Sequence, residues 1–339
     1  MRKRVYIAYT GGTIGMKRTR AGYVPASGFL QSQMDAMPEL KHPSMPLFHI
    51  HEYAPLLDSS NMTPREWVAI ARDIGDHYDD YDGFLVLHGT DTMAYTSSAL
   101  PFMLRGLGKP VVVTGSQIPL CEVRNDAREN LITSLLIAAN YEVPEVCLYF
   151  GGKLLRGCRA VKVSADGFAA FASPNIPPLG TVGIDIEINW DLVRKPKPRE
   201  KLRVEEIAAP VVSALRLFPG ISPELVRNVL RPPLQGLVLE AYGVGNGPDQ
   251  NDEFLAALAD ATARGVVIVD CTQCLEGTVD LTDYAAGTAL ARAGVISGFD
   301  MTVEAALAKL YYLFSRGYGA EKVKREVQRD LRGEMTIAV

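Results

Sequence analysis

The chain has 339 residues, 47% of them hydrophobic, and a formal net charge of −4. That length favours two domains over one and supplies ample apolar material for buried cores. The mildly acidic balance argues against a nucleic-acid partner or a polybasic membrane surface, and no stretch approaches the roughly 18 apolar residues that a membrane helix needs. Met1-Arg-Lys-Arg4 is basic, but the apolar run after it is only about five residues, too short for a signal-peptide core. The five cysteines are an odd and sparse set. Reduced thiols in a cytoplasmic protein are their simplest reading.

In chain order, the first element is Val5-Tyr-Ile-Ala-Tyr-Thr-Gly-Gly-Thr-Ile-Gly15, an apolar strand-like run that ends in two glycines and a threonine. Gly11 and Gly12 let the backbone turn sharply and approach a ligand, which leaves Thr13 at the lip of the turn as a nucleophile or a hydrogen-bonding group. Met16 to Pro25 is polar, with a hinge candidate in Gly22, and reads as a lid beside that edge. Its aromatic, Tyr23, either reaches over a bound substrate or packs on the surface. His49-Ile-His51 alternates on an expected strand and places both rings on one face. Thr63-Pro64-Arg65-Glu66 is a helix start: Thr63 caps, Pro64 takes the first turn and Glu66 closes a capping box. Trp67, Ile70, Ala71 and Ile74 then recur at helical spacing.

A second strand ends in a Gly-Thr turn in Phe84-Leu-Val-Leu-His-Gly-Thr-Asp-Thr92, and a third ends in Val111-Val-Val-Thr-Gly-Ser-Gln117. Three buried-type strands of this make would cluster their hydroxyls at the carboxyl edge of a parallel sheet, where ligands bind in open α/β folds. Leu131 to Ala139 reads as a buried helix and Val146 to Phe150 as a strand. Charged, proline-bearing Val193 to Lys201 reads as a linker or exposed loop. Beyond it, strands at Val211–Leu217, Leu237–Leu239 and Val266–Val269 alternate with helices opened by Ser222-Pro223-Glu224, from about Glu253, and over Val303–Phe314. The expected fold is therefore α/β with two domains. A larger N-terminal catalytic domain with a mainly parallel sheet spans 1–190, and a linker spans 191–209. A smaller C-terminal parallel-sheet domain spans 210–339.

Thr10-Gly-Gly-Thr-Ile-Gly15 with His88-Gly-Thr-Asp-Thr92, in order and about 75 residues apart, resembles the paired signatures of bacterial L-asparaginases. The resemblance runs essentially the whole length, through Leu57-Asp-Ser-Ser-Asn-Met62, Val113–Pro119, Lys162, Asp166 and Tyr242-Gly-Val-Gly-Asn246. It is strongest to the cytoplasmic type I enzymes.

The resemblance implies hydrolysis of L-asparagine without a cofactor. Thr13 would attack the side-chain amide, helped by Tyr23, and Thr90, Asp91 and Lys162 would form a Thr-Lys-Asp relay. Asp58, Ser59, Ser60, Ser116 and Asp91 would hold the substrate's α-carboxylate and ammonium. Asn246 would reach the active site of a neighbouring subunit, which implies an intimate dimer and a dimer of dimers. Glu240 and Cys274 match positions of a regulatory asparagine site. The type I pattern has a basic residue near the position of Glu240, so regulation is expected to be weakened, altered or absent. Thr278 falls where periplasmic relatives carry a glutamate that contacts the substrate amine.

Each residue also has a plainer reading. Thr13 can cap the next helix, Lys162 can be a solvated surface lysine, and Asp91 can cap a helix beginning near Met93. Asp58 to Asn61 is ordinary turn composition. Their joint occurrence in order weighs against those readings. Cys271-Thr-Gln-Cys274 lacks the second pair or nearby His that a metal site needs, so no metal is expected. Besides an asparaginase, two functions stay open: a related amidohydrolase acting on misacylated tRNA, and a small-ligand-binding module.

Overall fold

The computed structural model describes residues 2–20, 22–195, 200–282 and 284–337. Ala21 of the expected lid and residues 196–199 of the expected linker lie outside them. Contacts divide the chain into two units, Met1–Glu205 and Glu206–Val339.

In the first unit the opening apolar run forms the strand Arg4–Gly11, buried from Val5 onward. It pairs in parallel with Leu47–Leu57 on one side and Gly83–Leu87 on the other. The parallel series continues through Val111–Thr114 and Val146–Phe150. Three short strands, Lys153–Arg156, Gly180–Val182 and Ile186–Ile188, extend that edge antiparallel, giving eight among the described residues.

The central strands are apolar throughout because both faces are covered. Val5, Ile7, Tyr9, Leu85 and Val112 share one core with Leu30 and Met34 of helix Phe29–Asp35 and with Leu131 and Leu135 of helix Ala127–Asn140. Helices Pro64–Asp76 and Met93–Met103 pack on the opposite face. The Pro64 helix starts as its sequence predicts. The Thr63 hydroxyl accepts from the Arg65 N–H at 3.2 Å, and the Glu66 carboxylate accepts from the Thr63 N–H at 2.7 Å. A cap of this kind is worth about 1 kcal/mol. Trp67, Ile70, Ala71 and Ile74 are its buried face.

The charged segment after residue 190 is held to the first unit where it is described. Leu192 and Val193 pack against the first core, Arg105 pairs with Glu200 at 2.9 Å, and Arg203–Val204 pairs antiparallel with Leu104–Arg105.

The second unit is a four-stranded parallel sheet whose strands follow sequence order: Val212–Arg216, Gly236–Ala241, Val267–Thr272 and Ile296–Ser297. Its core joins Leu237, Leu239 and Ile268 to Phe254, Leu258 and Leu290 from the flanking helices. Ser222 caps helix Pro223–Val229 by accepting from the Leu225 N–H at 3.2 Å. Among the described residues no helix is long and apolar enough to cross a membrane.

Candidate active site

The site is built first from backbone. Gly11 and Gly12 have φ of +132° and +88°, values that side chains other than glycine rarely adopt. A Cβ on Gly11 would collide with the Leu57 carbonyl oxygen, and one on Gly12 would lie 2.5 Å from the Gly89 Cα. Gly89 is equally confined, since a Cβ there would sit 2.5 Å from the Ser59 Oγ. The ends of three parallel strands therefore meet without intervening side chains. The Gly12 N–H donates to Leu57 O at 3.2 Å, and the Thr92 hydroxyl donates to Ser59 O at 2.7 Å. Thr13, the Asp58–Ser60 segment and the 88–92 turn are joined by these contacts.

The two threonines differ in their surroundings. Thr13 opens a short 3₁₀ turn, Thr13–Gly15, and is half-buried. Gly12 occupies the cap position of that turn with no side-chain cap bond, so Thr13 is not a helix cap. Among the described residues no hydrogen bond holds the Thr13 hydroxyl. Thr90 is buried, and its hydroxyl accepts from Lys162 Nζ at 3.0 Å. Lys162 Nζ also donates to Asp91 Oδ1 at 2.8 Å. Lys162 is therefore not a solvated surface lysine: strand Val161–Lys162, paired with Phe171–Ala172, aims its amine inward. Nor does Asp91 cap the following helix, because Thr92 holds the N-cap position there.

Gln117 joins this group, although its sequence gives no separate sign of it. Its side-chain nitrogen donates to Ala165 O at 3.2 Å and Gly167 O at 3.1 Å. That fixes the amide orientation and turns Oε1 toward Thr90, whose hydroxyl donates to it at 3.3 Å. Asp126, four residues before Asn130 on the next helix, accepts from the Gln117 N–H at 2.9 Å and the Ile118 N–H at 3.0 Å. Ser116 is buried and donates to Ile118 O at 2.7 Å. Asp58 accepts from the Ser60 N–H at 3.1 Å, which leaves Ser60 exposed and Ser59 buried beneath the turn.

His88 lies inside the second turn but has no free nitrogen. Its Nδ1 lies 2.7 Å from Gly89 O, an acceptor, so Nδ1 carries the proton and Nε2 accepts from Thr96 Oγ1 at 2.8 Å. Trp67 Nε1 donates to the same Thr96 hydroxyl at 3.1 Å. Burial pushes the imidazole pKa down to about 4. His88 is a neutral strut that fixes the Gly89 carbonyl.

The expected lid is a β-hairpin, Met16–Thr19 paired with Gly22–Pro25. The Tyr23 ring on it is exposed, and its hydroxyl donates to Glu122 Oε1 at 2.9 Å. That hydrogen bond holds the Tyr23 pKa above the ordinary phenol value. Among the described residues, Tyr23 makes no hydrogen bond to Thr13.

Asn246, Glu240 and Cys274 belong to the second unit. Asn246 closes the Tyr242 turn through its N–H to Tyr242 O, 2.8 Å. Glu240 pairs with Arg216 at 3.2 Å. Cys274 is exposed while Cys271 is buried in its strand. His49 and His51 lie on one face of their strand against Tyr6, and His51 and His77 approach Asp73 at 3.2 and 3.3 Å. Among the described residues no group of three or more His, Cys, Asp or Glu is placed to hold a metal ion.

A parallel-sheet edge of interlocked Gly-Thr turns, with a smaller α/β unit following, defines a two-domain α/β protein with its polar groups gathered at the strand ends. Comparison with known proteins narrows the class. Residues 4–194 match the family model for the N-terminal part of asparaginases, and residues 211–326 match the glutaminase/asparaginase C-terminal domain. The chain belongs to the asparaginase family of amidohydrolases. It is 54% identical to L-asparaginase 1 of Escherichia coli, over 99% of this chain and 98% of that protein. It is 48% identical to the 60 kDa lysophospholipase of Mus musculus, over 99% of this chain and 63% of that one. The crystal structure of L-asparaginase I from Vibrio cholerae superposes with a TM-score of 0.92 at 53% identity, covering 99% of this chain and all of the other.

Proposed function

We propose that the protein is a cytoplasmic enzyme that hydrolyses L-asparagine to L-aspartate and ammonia through a covalent β-aspartyl ester on Thr13. The observation that carries this reading is Lys162 Nζ bridging Thr90 Oγ1 and Asp91 Oδ1 at 3.0 and 2.8 Å, on a turn whose Gly89 lies against Gly12. The Thr13 oxygen attacks the side-chain amide carbon, its proton passes to the departing nitrogen, and ammonia leaves. Water then attacks the ester, Thr13 recovers its proton, and aspartate is released. Lys162, held by Asp91, presents positive charge to Thr90 and so stabilises negative charge developing on that hydroxyl. Tyr23, with its pKa raised by Glu122, serves as a neutral hydrogen-bonding partner of Thr13 once the hairpin turns inward.

Asp58, Ser59, Ser60, Ser116 and Asp91 would hold the α-carboxylate and α-ammonium of the substrate. Backbone N–H groups of the two turns would face the oxyanion, apart from that of Gly12, which is already given to Leu57 O. Residues 1–190 are the catalytic domain in this reading, and 210–339 supply Asn246 to a neighbouring subunit of a dimer of dimers. Weaker glutaminase activity is expected, because one added methylene is a modest discriminator. Glu240, already paired with Arg216, presents a carboxylate where a regulatory asparagine would need a cation. Although Cys274 is present at another matching position, regulation is expected to be weakened, altered or absent; a sigmoidal asparagine curve would overturn this. The activity itself is tested by ammonia release from L-asparagine and L-glutamine. Release from neither, by a folded protein, would sink the reading.

A further inference from the structure

Asp270, on strand Val267–Thr272 of the second unit, is fully buried. Among the described residues neither of its carboxylate oxygens has a hydrogen-bond partner. The same unit shows how a buried carboxylate is ordinarily satisfied. Glu334 meets Lys309 Nζ at 2.6 Å and accepts from the Leu331 N–H at 3.0 Å and the Arg332 N–H at 2.6 Å. An ionised carboxylate with no donor at all is among the costliest groups a protein can bury.

Its position is specific. A Cβ on Gly245 would lie 3.0 Å from Asp270 Oδ2, with Val279 and Leu281 side chains at 2.7 and 3.1 Å. Asp270 therefore packs directly beneath the Tyr242–Asn246 turn. In that turn the Asn246 side-chain oxygen is likewise buried and, among the described residues, lacks a donor. A carboxylate wants donors and the amide oxygen wants one; a single proton on Asp270 answers both.

We propose that Asp270 is a neutral carboxylic acid that positions the Tyr242–Asn246 turn by donating its O–H to it, with the Asn246 side-chain oxygen as acceptor. The consequence for catalysis rests on the reading that Asn246 serves a neighbouring active site.

The surroundings favour the proton. On the adjoining strands the residues opposite are Leu239 and Ser297. Cys271, Glu240 and, from helix Val303–Ser315, Glu304 lie on the other face of the sheet, since Glu240 is the cross-strand partner of Cys271. On Asp270's own face Asp280 is an acid whose N–H donates to Val244 O. Lys309 of that helix is committed to Glu334. Helix Ala320–Val327 buries Val323 and Val327, and its Lys324 pairs with Glu321. Burial pushes the Asp270 pKa up to about 8.

The test compares the full-length wild type with Asp270→Asn, which keeps a neutral donor, and Asp270→Leu, which has none. The folded protein holds a proton that the unfolded chain has released, so wild-type stability falls relative to Asp270→Asn as pH rises from about 4 to about 8. The unfolding equilibrium shifts about tenfold per pH unit in that window and levels off above it. Ammonia release by the wild type is expected to lose activity through about pH 8, while Asp270→Asn keeps it. Asp270→Leu is expected to lower kcat/KM about tenfold at neutral pH. Parallel stability curves for wild type and Asp270→Asn would overturn the inference. A diverging stability curve with no ammonia release from any variant would leave Asp270 neutral and sink the asparaginase reading instead.

Discussion

Thr13 and Thr90 follow glycines on adjoining turns of one sheet edge, yet their hydroxyls live in different chemistry. Thr90 is buried and held from two sides, accepting from Lys162 at 3.0 Å and donating to Gln117 at 3.3 Å. Thr13 is half-buried and, among the described residues, unheld. A nucleophile has to move onto a carbonyl carbon, so it gains little from being locked in the resting enzyme. A group that manages charge has to be held, because its value lies in fixed orientation. The contrast favours Thr13 for attack and Thr90 for the electrostatic role.

The largest expected effect comes from removing the free hydroxyl. Thr13→Ala should lower kcat by about 10⁴-fold or more while leaving the unfolding midpoint nearly unchanged, read by ammonia release and urea titration. Breaking the held side should cost less. Lys162→Met and Thr90→Ala are each expected to lower kcat about 10³-fold. The double variant should be little worse than either alone, because one hydrogen bond couples them.

The contact that brings the two turns together can be broken separately. Gly12→Ala forces a Cβ against the Gly89 backbone at positive φ, which should cost about 3 kcal/mol or more in urea unfolding. The strut behind the second turn gives a pH signature. His88 folds with its pKa pushed down to about 4, against about 6.5 unfolded, so the unfolded chain binds the extra proton between those values. Its contribution is fully present above about pH 6.5 and is lost as pH falls, by about 3 kcal/mol at pH 4. Urea titrations of wild type against His88→Gln should diverge over that window.

Much of this was legible in the sequence because local chemistry and tertiary demand agree. The Thr63 capping box, the buried Val146–Phe150 run and the Gly-Thr strand ends each have one structural solution that satisfies backbone and burial together. Other features depend on partners distant in the chain. Lys162 stands in an unremarkable stretch, Arg159-Ala-Val-Lys-Val-Ser164, and only its pairing with Phe171 turns it toward Thr90. Gln117 is defined by carbonyls at 165 and 167. The Lys153–Arg156, Gly180–Val182 and Ile186–Ile188 strands are too short to carry a periodic signal. The 16–25 segment is polar on both faces, so nothing in its pattern distinguishes a hairpin from an open loop. Asp270 falls just beyond the apolar Val266–Val269 run, and only the strand's extension to Thr272 and the burial of its side chain mark it.

The division of labour between the threonines is tested most directly by trapping the covalent intermediate. Wild-type enzyme mixed with L-asparagine, acid-quenched and digested would be mapped by peptide mass spectrometry. A β-aspartyl adduct is expected on the peptide containing Thr13 and is expected to be absent in Thr13→Ala. An adduct on Thr90, or one that persists in Thr13→Ala, would contradict that division.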